Sequence, residues 1–396
     1  MKYIICIVLF ACFSCKNPIA RLSIDSGPLA RNHFPIYLGN ELGLKVGSDY
    51  YIENISDGSV HPVQVLSSGP VTVIPDFPAN TTLTFELIEG LAEHDLPKIK
   101  FDEDAQGIQV LVGNKALLFY QRETAAPEGD QPDYYQRSGF IHPLYSPNGE
   151  ILTDGFPKGH THQNGIFNAW TNTTFKGQKV DFWNRQEQLG TIRHVETLYM
   201  DVGKLLGQVR TKLSHVSLEH GEVLDEEWLI TVYPKIDYFI FDLESTQVNI
   251  SQDTLFLNEY LYGGMAFRGS KEWNIDDKEH FTNPWKIKTS EGLINEEANH
   301  TKAKWVDASG MINGNKAGLT VFGFPENYRA PQTIRVHPSM PYWVYSPVVE
   351  GAFYIAPGET YISRYRYLVH NGQVGKAELD RIYTDMEQPV VVRRLD

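Results

Sequence analysis

The segment KLLGQVRTKLSHVSLEHGEVLDEEWLITVYPKIDYFIFDLESTQV (residues 204–248) decides the fold class. It contains three long runs, 204–216, 226–233 and 238–248, in which apolar and polar residues often alternate. Because successive side chains of a strand point to opposite faces, this alternation places apolar side chains on one face and polar ones on the other. The three runs therefore predict a broad antiparallel sheet with one solvated face.

The rest of the chain is also rich in strand patterns. Residues 318–324 and 359–369 repeat the long runs, whereas shorter runs broken by turn residues fill 21–112, as is typical of a small β-sandwich. The clearest helical pattern spans 376–387. We therefore predict an all-β fold with few short helices. A small Ig-like β-sandwich at 21–112 precedes a large antiparallel, supersandwich-like β-sandwich at 113–396, which we expect to be the catalytic domain.

Composition and charge narrow the classes of partner. The 396 residues carry a formal net charge of −14, which argues against nucleic acid because phosphate binding needs a basic surface. An anionic ligand would need a local cluster of Arg or Lys in this acidic protein. The chain has 21 Tyr, 20 Phe and 7 Trp, and aromatic residues both favour strands and line sugar-binding clefts.

The N-terminus has the pattern of an exported lipoprotein. After Lys2, the apolar run 3–13 is too short to span a bilayer as a mature helix. The residues around Cys15 resemble a bacterial lipobox, which predicts a lipoprotein signal peptide over 1–15 and lipidation of Cys15; a box at Cys12 and a plain secretory signal are the alternatives. We expect the cell envelope of a Gram-negative-type bacterium, periplasm or outer membrane, with membrane contact only through this anchor. The pattern does not bear on the oligomeric state.

The segment 142–184 has the densest set of residues suited to chemistry. His160 and His162 stand two apart, and on a strand this spacing places both imidazoles on one face. Such a pair can transfer protons near neutral pH or form half of a metal site, for which Asp181 or His142 would be the next ligand. No second His or Cys cluster completes a metal site in the sequence, so we favour acid/base chemistry and predict neither metal nor cofactor.

A second group of candidates lies in NEYLYGGMAFRG (258–269). Tyr260 and Tyr262 would share one face of a strand, and Arg268 has the fork-shaped cation that suits a carboxylate. The alternative is an ordinary edge strand whose arginine pairs with a local acid. Further along the chain, Arg335 and His337 are candidates for binding an acidic group, although each also fits a pair on a sheet surface.

Several of these motifs resemble a known family. They are HPLYSPNGE (142–150), DGFPKGHTHQNGIFNAW (154–170), VDFWN (180–184), YGGMAFRG (262–269) and WVDASG (305–310). Over roughly residues 120–369 the chain resembles the bacterial family labelled "methane oxygenase PmoA-like", whose members look like secreted all-β proteins of polysaccharide utilisation. The family often reads D-H-x-H-H-x-G where this chain has Gly159 and Gln163, so a third histidine is absent and the metal hypothesis is weakened.

The resemblance implies oligosaccharide dehydration: water leaves the non-reducing-end uronic acid of an acidic, ulvan-type oligosaccharide, and an unsaturated uronate remains. His160 or His162 would take the C5 proton, and Tyr260 or the other histidine would protonate the departing C4 hydroxyl. Arg268 or Arg335 would neutralise the carboxylate. The expected substrate-binding residues are His142, Trp170, Asp181, Trp183, Glu259, Tyr262, Arg268, Arg335 and His337.

Two other functions fit parts of the sequence. A glycoside hydrolase would need two carboxylates facing each other across a cleft, and Asp181, Glu259 and Glu291 are candidates, although no spacing in the sequence brings two of them together. A non-catalytic glycan-binding lipoprotein would need aromatic surfaces but no proton-transfer pair. The first alternative would release shorter sugars without unsaturation, and the second would bind sugars without turnover.

Overall fold

A computed structural model describes residues 17–31, 34–93 and 95–396. The predicted signal peptide and the lipidation site Cys15 lie outside the described residues. The described residues divide into two compact units, one formed by those before residue 94 together with 390–396 and the other by residues 95–389. No helix in the described part is long and apolar enough to cross a membrane.

In the described part of the smaller unit, seven strands form one antiparallel sheet. They are β1 (Ala20–Asp25), β2 (Phe34–Tyr37), β3 (Tyr50–Asn54), β4 (Val60–Leu66), β5 (Gly69–Ile74), β6 (Thr82–Glu89) and, numbered last because it ends the chain, β28 (Val391–Arg394). Their order is β2-β5-β4-β3-β6-β1-β28, with a short 3-10 helix at Asn40–Leu42. Buried apolar side chains such as Leu22, Ile52 and Phe85 form a core that belongs to this unit alone.

The larger unit contains three sheets. Its strands are β7 (Ile99–Glu103), β8 (Gly107–Val112), β9 (Lys115–Gln121), β10 (Phe140–Leu144), β11 (Ile166–Ala169), β12 (Thr173–Phe175), β13 (Gln178–Val180), β14 (Gly190–Val202), β15 (Gly207–Ser217), β16 (Gly221–Tyr233), β17 (Phe239–Asn249), β18 (Leu255–Leu257), β19 (Gly264–Arg268), β20 (Lys286–Thr289), β21 (Thr301–Lys302), β22 (Trp305–Ile312), β23 (Asn315–Gly323), β24 (Thr333–Val336), β25 (Tyr342–Tyr345), β26 (Phe353–Ile355) and β27 (Thr360–Asn371). Short 3-10 helices lie at Asp133–Tyr135, Arg185–Glu187, Lys271–Trp273, Asn295–Ala298 and Pro347–Glu350.

Two of these sheets pack face to face as a large sandwich. The nine-stranded sheet has the order β21-β24-β25-β19-β11-β10-β9-β8-β7, and the eight-stranded sheet has the order β14-β15-β16-β17-β27-β23-β22-β20. One continuous core contains side chains from both, for example Phe167 and Val110 from the first and Trp228 and Phe241 from the second. The all-β prediction is therefore confirmed.

The segment 204–248 forms three neighbouring strands of the eight-stranded sheet, β15 to β17, as its alternation predicts. In β17 the buried and half-buried residues alternate along most of the strand. The predicted helix is also present: α1 spans Lys376–Glu387. Its apolar residues, among them Leu379 and Ile382, pack with Trp305 and Phe322 of the eight-stranded sheet.

The boundary between the units differs from the sequence prediction. We predicted domains at 21–112 and 113–396, but residues 99–112 belong to the larger unit. The reason is strand pairing: β7 pairs with β8, and β8 pairs with β9, so a boundary after residue 112 would cut a hairpin. The last strand, β28, belongs to the smaller unit because it pairs with β1.

Candidate functional site

The candidate site lies at the edge of the nine-stranded sheet that is formed by the ends of four neighbouring strands, β24, β25, β19 and β11. β24 ends at Val336, β25 begins at Tyr342, β19 ends at Arg268 and β11 begins at Ile166. Tyr342 is the register partner of Arg268, and Phe267 is the partner of Ile166. Because neighbouring strands are antiparallel, the end of each strand lies beside the start of the next, and the loops at this edge come together.

Three histidines from two of these loops form a cluster at this edge. The ring centroids of His160 and His162 are 5.6 Å apart, and those of His160 and His337 are 5.9 Å apart. The first two histidines lie in a loop and not on a strand, which corrects the expectation that a strand would align them. Backbone hydrogen bonds shape this loop instead, with Gln163 N donating to His160 O at 3.0 Å and Gly165 N to Asp154 O at 2.8 Å.

The environment of these imidazoles keeps them neutral. Burial lowers the pKa of His162 to about 3, and the positive charges of Arg185 and Arg268 add to this effect. Burial, with Arg335 as the next cause, lowers the pKa of His337 to about 4. The pKa of His160 is lowered by burial and then by Arg268. At pH 7 all three rings are therefore neutral, and a neutral imidazole carries a lone pair on one of its two nitrogens.

The tautomer of His337 is set by its own loop. Its Nδ1 accepts hydrogen bonds from the backbone N–H groups of Ser339 at 3.3 Å and Met340 at 3.2 Å. An acceptor Nδ1 places the proton of the neutral ring on Nε2. A metal-binding histidine normally donates its second ring N–H to an acceptor, so this ring does not fit a metal site through Nε2. His337 is instead fixed as a hydrogen-bond donor.

Two buried guanidinium groups donate hydrogen bonds to residues of the histidine loop. Arg268 is fully buried, its Nη1 donates to Gln163 Oε1 at 2.9 Å, and its Nε and Nη2 have no hydrogen-bond partner. Arg185 is 1% exposed, its Nη2 donates to Asn164 Oδ1 at 2.8 Å, and its Nε and Nη1 have no partner. Within the described residues neither guanidinium forms an ion pair. Burying a cation without an ion pair costs several kcal/mol, and burial lowers the pKa of Arg268 although nearby carboxylates oppose this change.

A row of aromatic residues leads away from the histidines. The centroid of His337 is 6.4 Å from that of Tyr342, which is 6.5 Å from that of Tyr262, and Tyr262 is 5.2 Å from Tyr260. Tyr262 also packs at 5.2 Å against Trp183, and burial raises the pKa of Tyr262 to about 12. Tyr260 is 37% exposed, but two other tyrosines separate it from the imidazoles. It is therefore poorly placed for the proton donation that we expected of it.

Several of the expected substrate-binding residues have structural roles. Trp170 is 1% exposed, and its Nε1 donates to Gln247 Oε1 at 2.7 Å in the core. Asp181 is 1% exposed and accepts from the backbone N–H groups of Trp183 at 2.9 Å and Asn184 at 2.7 Å. Trp183 itself is fully buried. None of these three side chains presents a surface to a sugar, and Asp181 cannot serve as one of two catalytic carboxylates of a hydrolase in this arrangement.

Of the other expected residues, Arg335 and His142 are half-buried and Glu259 is exposed. Arg335 is half-buried beside His337, and its Nη1 donates to Asn299 Oδ1 at 2.9 Å. His142 Nδ1 pairs with Thr153 Oγ1 at 2.9 Å, and burial lowers the pKa of His142 to about 4. Glu259 is exposed and lies next to Tyr260 in the chain.

Two residues near the histidines, Arg185 and Asp154, were not among the residues predicted from the sequence. Asp154 begins the histidine loop, and burial raises the pKa of its carboxyl while Arg268 opposes that change. Arg185 follows VDFWN directly, but nothing in a linear sequence distinguishes a buried arginine from an exposed one. The adjacent amides Gln163 and Asn164 could have indicated buried partners in the histidine loop, because each accepts a hydrogen bond from one of the buried guanidinium groups.

A separate group of possible metal ligands lies near the histidine loop. Ligand atoms of Asp277, Glu279 and His280 lie within 4.8 Å of one another. However, Lys158 Nζ forms ion pairs with Asp277 at 3.0 Å and with Glu279 at 3.2 Å, and His280 Nδ1 pairs with Asp277 at 2.9 Å. The carboxylates are thus already neutralised, and the group fits an ion-pair cluster better than a cation site.

The fold and the site define a β-sandwich protein in which neutral imidazoles lie near buried guanidinium groups. Residues 107–384 match the model of DUF6807, which is described as a family of unknown function, and the chain belongs to this family. No curated protein matches the chain.

Solved structures of three kinds are similar to this chain. A protein in the glycosyl hydrolase family 38 from Enterococcus faecalis has 10% identity and a TM-score of 0.45, covering 95% of this chain and 47% of its own. The heparan sulfate lyase HepC from Pedobacter heparinus has 11% identity and a TM-score of 0.33, covering 72% and 38%. A galactose mutarotase related enzyme from Lactobacillus acidophilus has 10% identity and a TM-score of 0.32, covering 69% and 97%. The chain thus spans about half the length of the first of these structures.

Proposed function

We propose that this protein is a carbohydrate-active carbon–oxygen lyase. It removes water from the non-reducing-end uronic acid of acidic, ulvan-type oligosaccharides and leaves an unsaturated uronate. The observation that carries the proposal is the pair of buried guanidinium groups, Arg268 and Arg185, which have no ion pair among the described residues and which lower the pKa of the neutral His162 ring. An anionic substrate would supply the missing negative charge in a protein whose net charge is −14. The resemblance to the PmoA-like family supports the same reaction.

The reaction needs a base, charge stabilisation and a proton for the leaving group. Loss of the C5 proton leaves negative charge on the carbon next to the carboxylate, and a cationic, water-poor site stabilises that charge. We assign Arg335 and the Nε2–H of His337 to the carboxylate, because both lie at the accessible side of the cluster. Arg268 and Arg185 are both buried, so they stabilise the negative charge of the substrate through their electric field and not by direct contact.

His160 is the base in this proposal. Its ring is half-buried, whereas His162 is only 9% exposed, so His160 is the more accessible acceptor. The neutral ring takes the C5 proton, the C4–O bond breaks as the C4–C5 double bond forms, and the new imidazolium gives its proton to the departing hydroxyl. Water leaves and the ring returns to its neutral form, so protons and electrons balance. His162 positions His160 through their edge-to-face contact.

The test is incubation with ulvan oligosaccharides that end in a saturated uronic acid. We expect ultraviolet absorbance from a conjugated enol ether and a product lighter by one water in mass spectrometry. His160→Gln should abolish the product, whereas His220→Gln, at a histidine that bonds to Gln178 away from the site, should retain it. An oligosaccharide of unchanged mass with the wild-type protein would contradict the proposal. Shorter sugars without unsaturation would indicate a hydrolase, and binding without turnover would indicate a glycan-binding protein.

We also propose that Cys15 holds a lipid anchor in the cell envelope. The support is the lipobox-like sequence that precedes it. Cys15→Ser should prevent incorporation of labelled fatty acid and move the protein from the membrane fraction to the soluble fraction. Cys12→Ser is the matched control, and loss of labelling in that variant alone would assign the anchor to Cys12.

A further inference from the structure

An exposed aromatic face lies on the third sheet of the larger unit. This four-stranded sheet has the order β13-β12-β18-β26. Phe256 of β18 and Tyr354 of β26 are register partners, their ring centroids are 6.3 Å apart, and they are 48% and 58% exposed. Their neighbours Leu255 and Leu257 are fully buried on the opposite face. The alternation of the strands thus holds two large rings in solvent, on a base that is packed and rigid.

Polar side chains flank these rings. Thr174 of β12 is the register partner of Phe256 and is half-buried. Its Oγ1 accepts from Asn258 Nδ2 at 2.9 Å, so an amide and a hydroxyl lie beside the aromatic pair. Ligand sites typically combine aromatic surfaces with a few fixed polar groups in this way. A sugar ring has the matching character, with apolar C–H faces and hydroxyl groups around its edge.

The aromatic face continues into the histidine site along one stretch of chain. The residues that follow Phe256, from 258 to 262, are all at least partly exposed, and Asn258, Tyr260 and Tyr262 are among them. Tyr262 then lies in the aromatic row that ends at His337. Phe256 and Tyr262 are six residues apart, so their backbones lie no more than about 21 Å from each other.

We propose that Phe256, Tyr354, Asn258 and Tyr260 bind the sugar units that follow the reacting uronic acid. The ligand is an oligosaccharide chain whose non-reducing end lies at the histidines and whose later units lie across the rings. This inference rests on the proposed function for the direction of the chain. Its consequence is a preference for longer oligosaccharides, because each added unit gains contact with another exposed side chain.

The experiment measures binding and turnover separately. Isothermal titration calorimetry with a disaccharide and a hexasaccharide from ulvan gives the Kd of each, with and without the double substitution Phe256→Ala and Tyr354→Ala. We expect the wild type to prefer the hexasaccharide and the double variant to bind it roughly tenfold more weakly, with no change for the disaccharide. Phe256→Tyr with Tyr354→Phe keeps both rings and should restore the affinity. Leu198→Ala, at an apolar side chain that is 40% exposed on the edge strand β14, is the matched control.

The outcomes distinguish this inference from the proposed function. Calorimetry needs no turnover, so hexasaccharide binding that depends on the two rings supports the inference even if no unsaturated product forms. Turnover of the disaccharide with equal hexasaccharide affinity in the wild type and the double variant would overturn the inference and leave the proposed function standing. Absence of any preference for the hexasaccharide in the wild type would also overturn it. Both side chains are exposed, so their removal should leave the far-ultraviolet circular dichroism, which reports the backbone, unchanged.

Discussion

The buried imidazole of His162 should make the stability of the larger unit depend on pH. Burial lowers the pKa of this ring from 6.5 to about 3 in the folded protein, helped by the nearby positive charges. Above pH 6.5 the ring is neutral in both states and has no effect. As the pH falls from 6.5 towards 3, the unfolded chain binds a proton that the folded protein does not, so stability is lost over this window.

The size of the effect follows from the same shift. A change of about 3.5 pKa units corresponds to about 5 kcal/mol once the pH is below 3. Between pH 8 and pH 5, the loss due to His162 alone is about 2 kcal/mol. His162→Gln removes the titration but keeps a polar side chain of similar length. The variant should therefore lose about 2 kcal/mol less than the wild type between these two pH values.

Urea unfolding followed by tryptophan fluorescence is the appropriate assay. All seven tryptophans lie between residues 170 and 343, so the signal reports the larger unit alone. Other buried histidines titrate in both proteins and cancel in the comparison. His220→Gln, at a half-buried surface position, controls for the loss of a histidine as such. An equal pH dependence in the wild type and in His162→Gln would refute the reasoning, because it would mean that the folded ring protonates freely.

Three further predictions concern buried charges and one ring tautomer. Glu226→Ala should lower the free energy of unfolding by about 5 kcal/mol or more in the same urea assay, because the buried carboxylate accepts five hydrogen bonds, one of them from His215 Nε2 at 2.7 Å. Arg268→Met should raise the pKa of His160, because the substitution removes a positive charge that lowers this pKa. An NMR titration of the ring protons measures the change. An unchanged midpoint would mean that the guanidinium is too distant to affect the ring. In nitrogen-15 spectra at pH 7, His337 should appear as the Nε2–H tautomer, and an Nδ1–H signal would contradict the hydrogen bonds of its loop.

Local sequence patterns predicted the parts of the fold that depend on neighbours in the chain. The alternation in 204–248 predicted three adjacent strands, and the helical spacing in 376–387 predicted α1 with the bounds that the structure has. The pair His160 and His162 could also be found, because two residues so close in the chain remain close in any compact loop. The periodicity of side chains and short separations along the chain are the same before and after folding, so the sequence reveals them.

Pairing between distant strands decided the rest. The boundary between the units lies at 94/95 because β7 pairs with β8 and β8 pairs with β9. The last strand, β28, belongs to the smaller unit because it pairs with β1. Strand pairing also brought His337 to within 5.9 Å of His160, although 177 positions separate them (337 − 160).

The character of each candidate residue was decided by burial. Trp170 and Asp181 have the residue types of a sugar-binding site, yet the core encloses both of them. Arg185 had no distinguishing local pattern, yet it is buried and its positive charge lowers the pKa of His162. The sequence by itself thus determined the periodic elements and the histidine pair, whereas the tertiary structure decided which side chains are accessible, neutral or charged. The physical reason is that solvation and electrostatic interaction depend on everything that surrounds a group in space, and most of those surroundings come from remote strands.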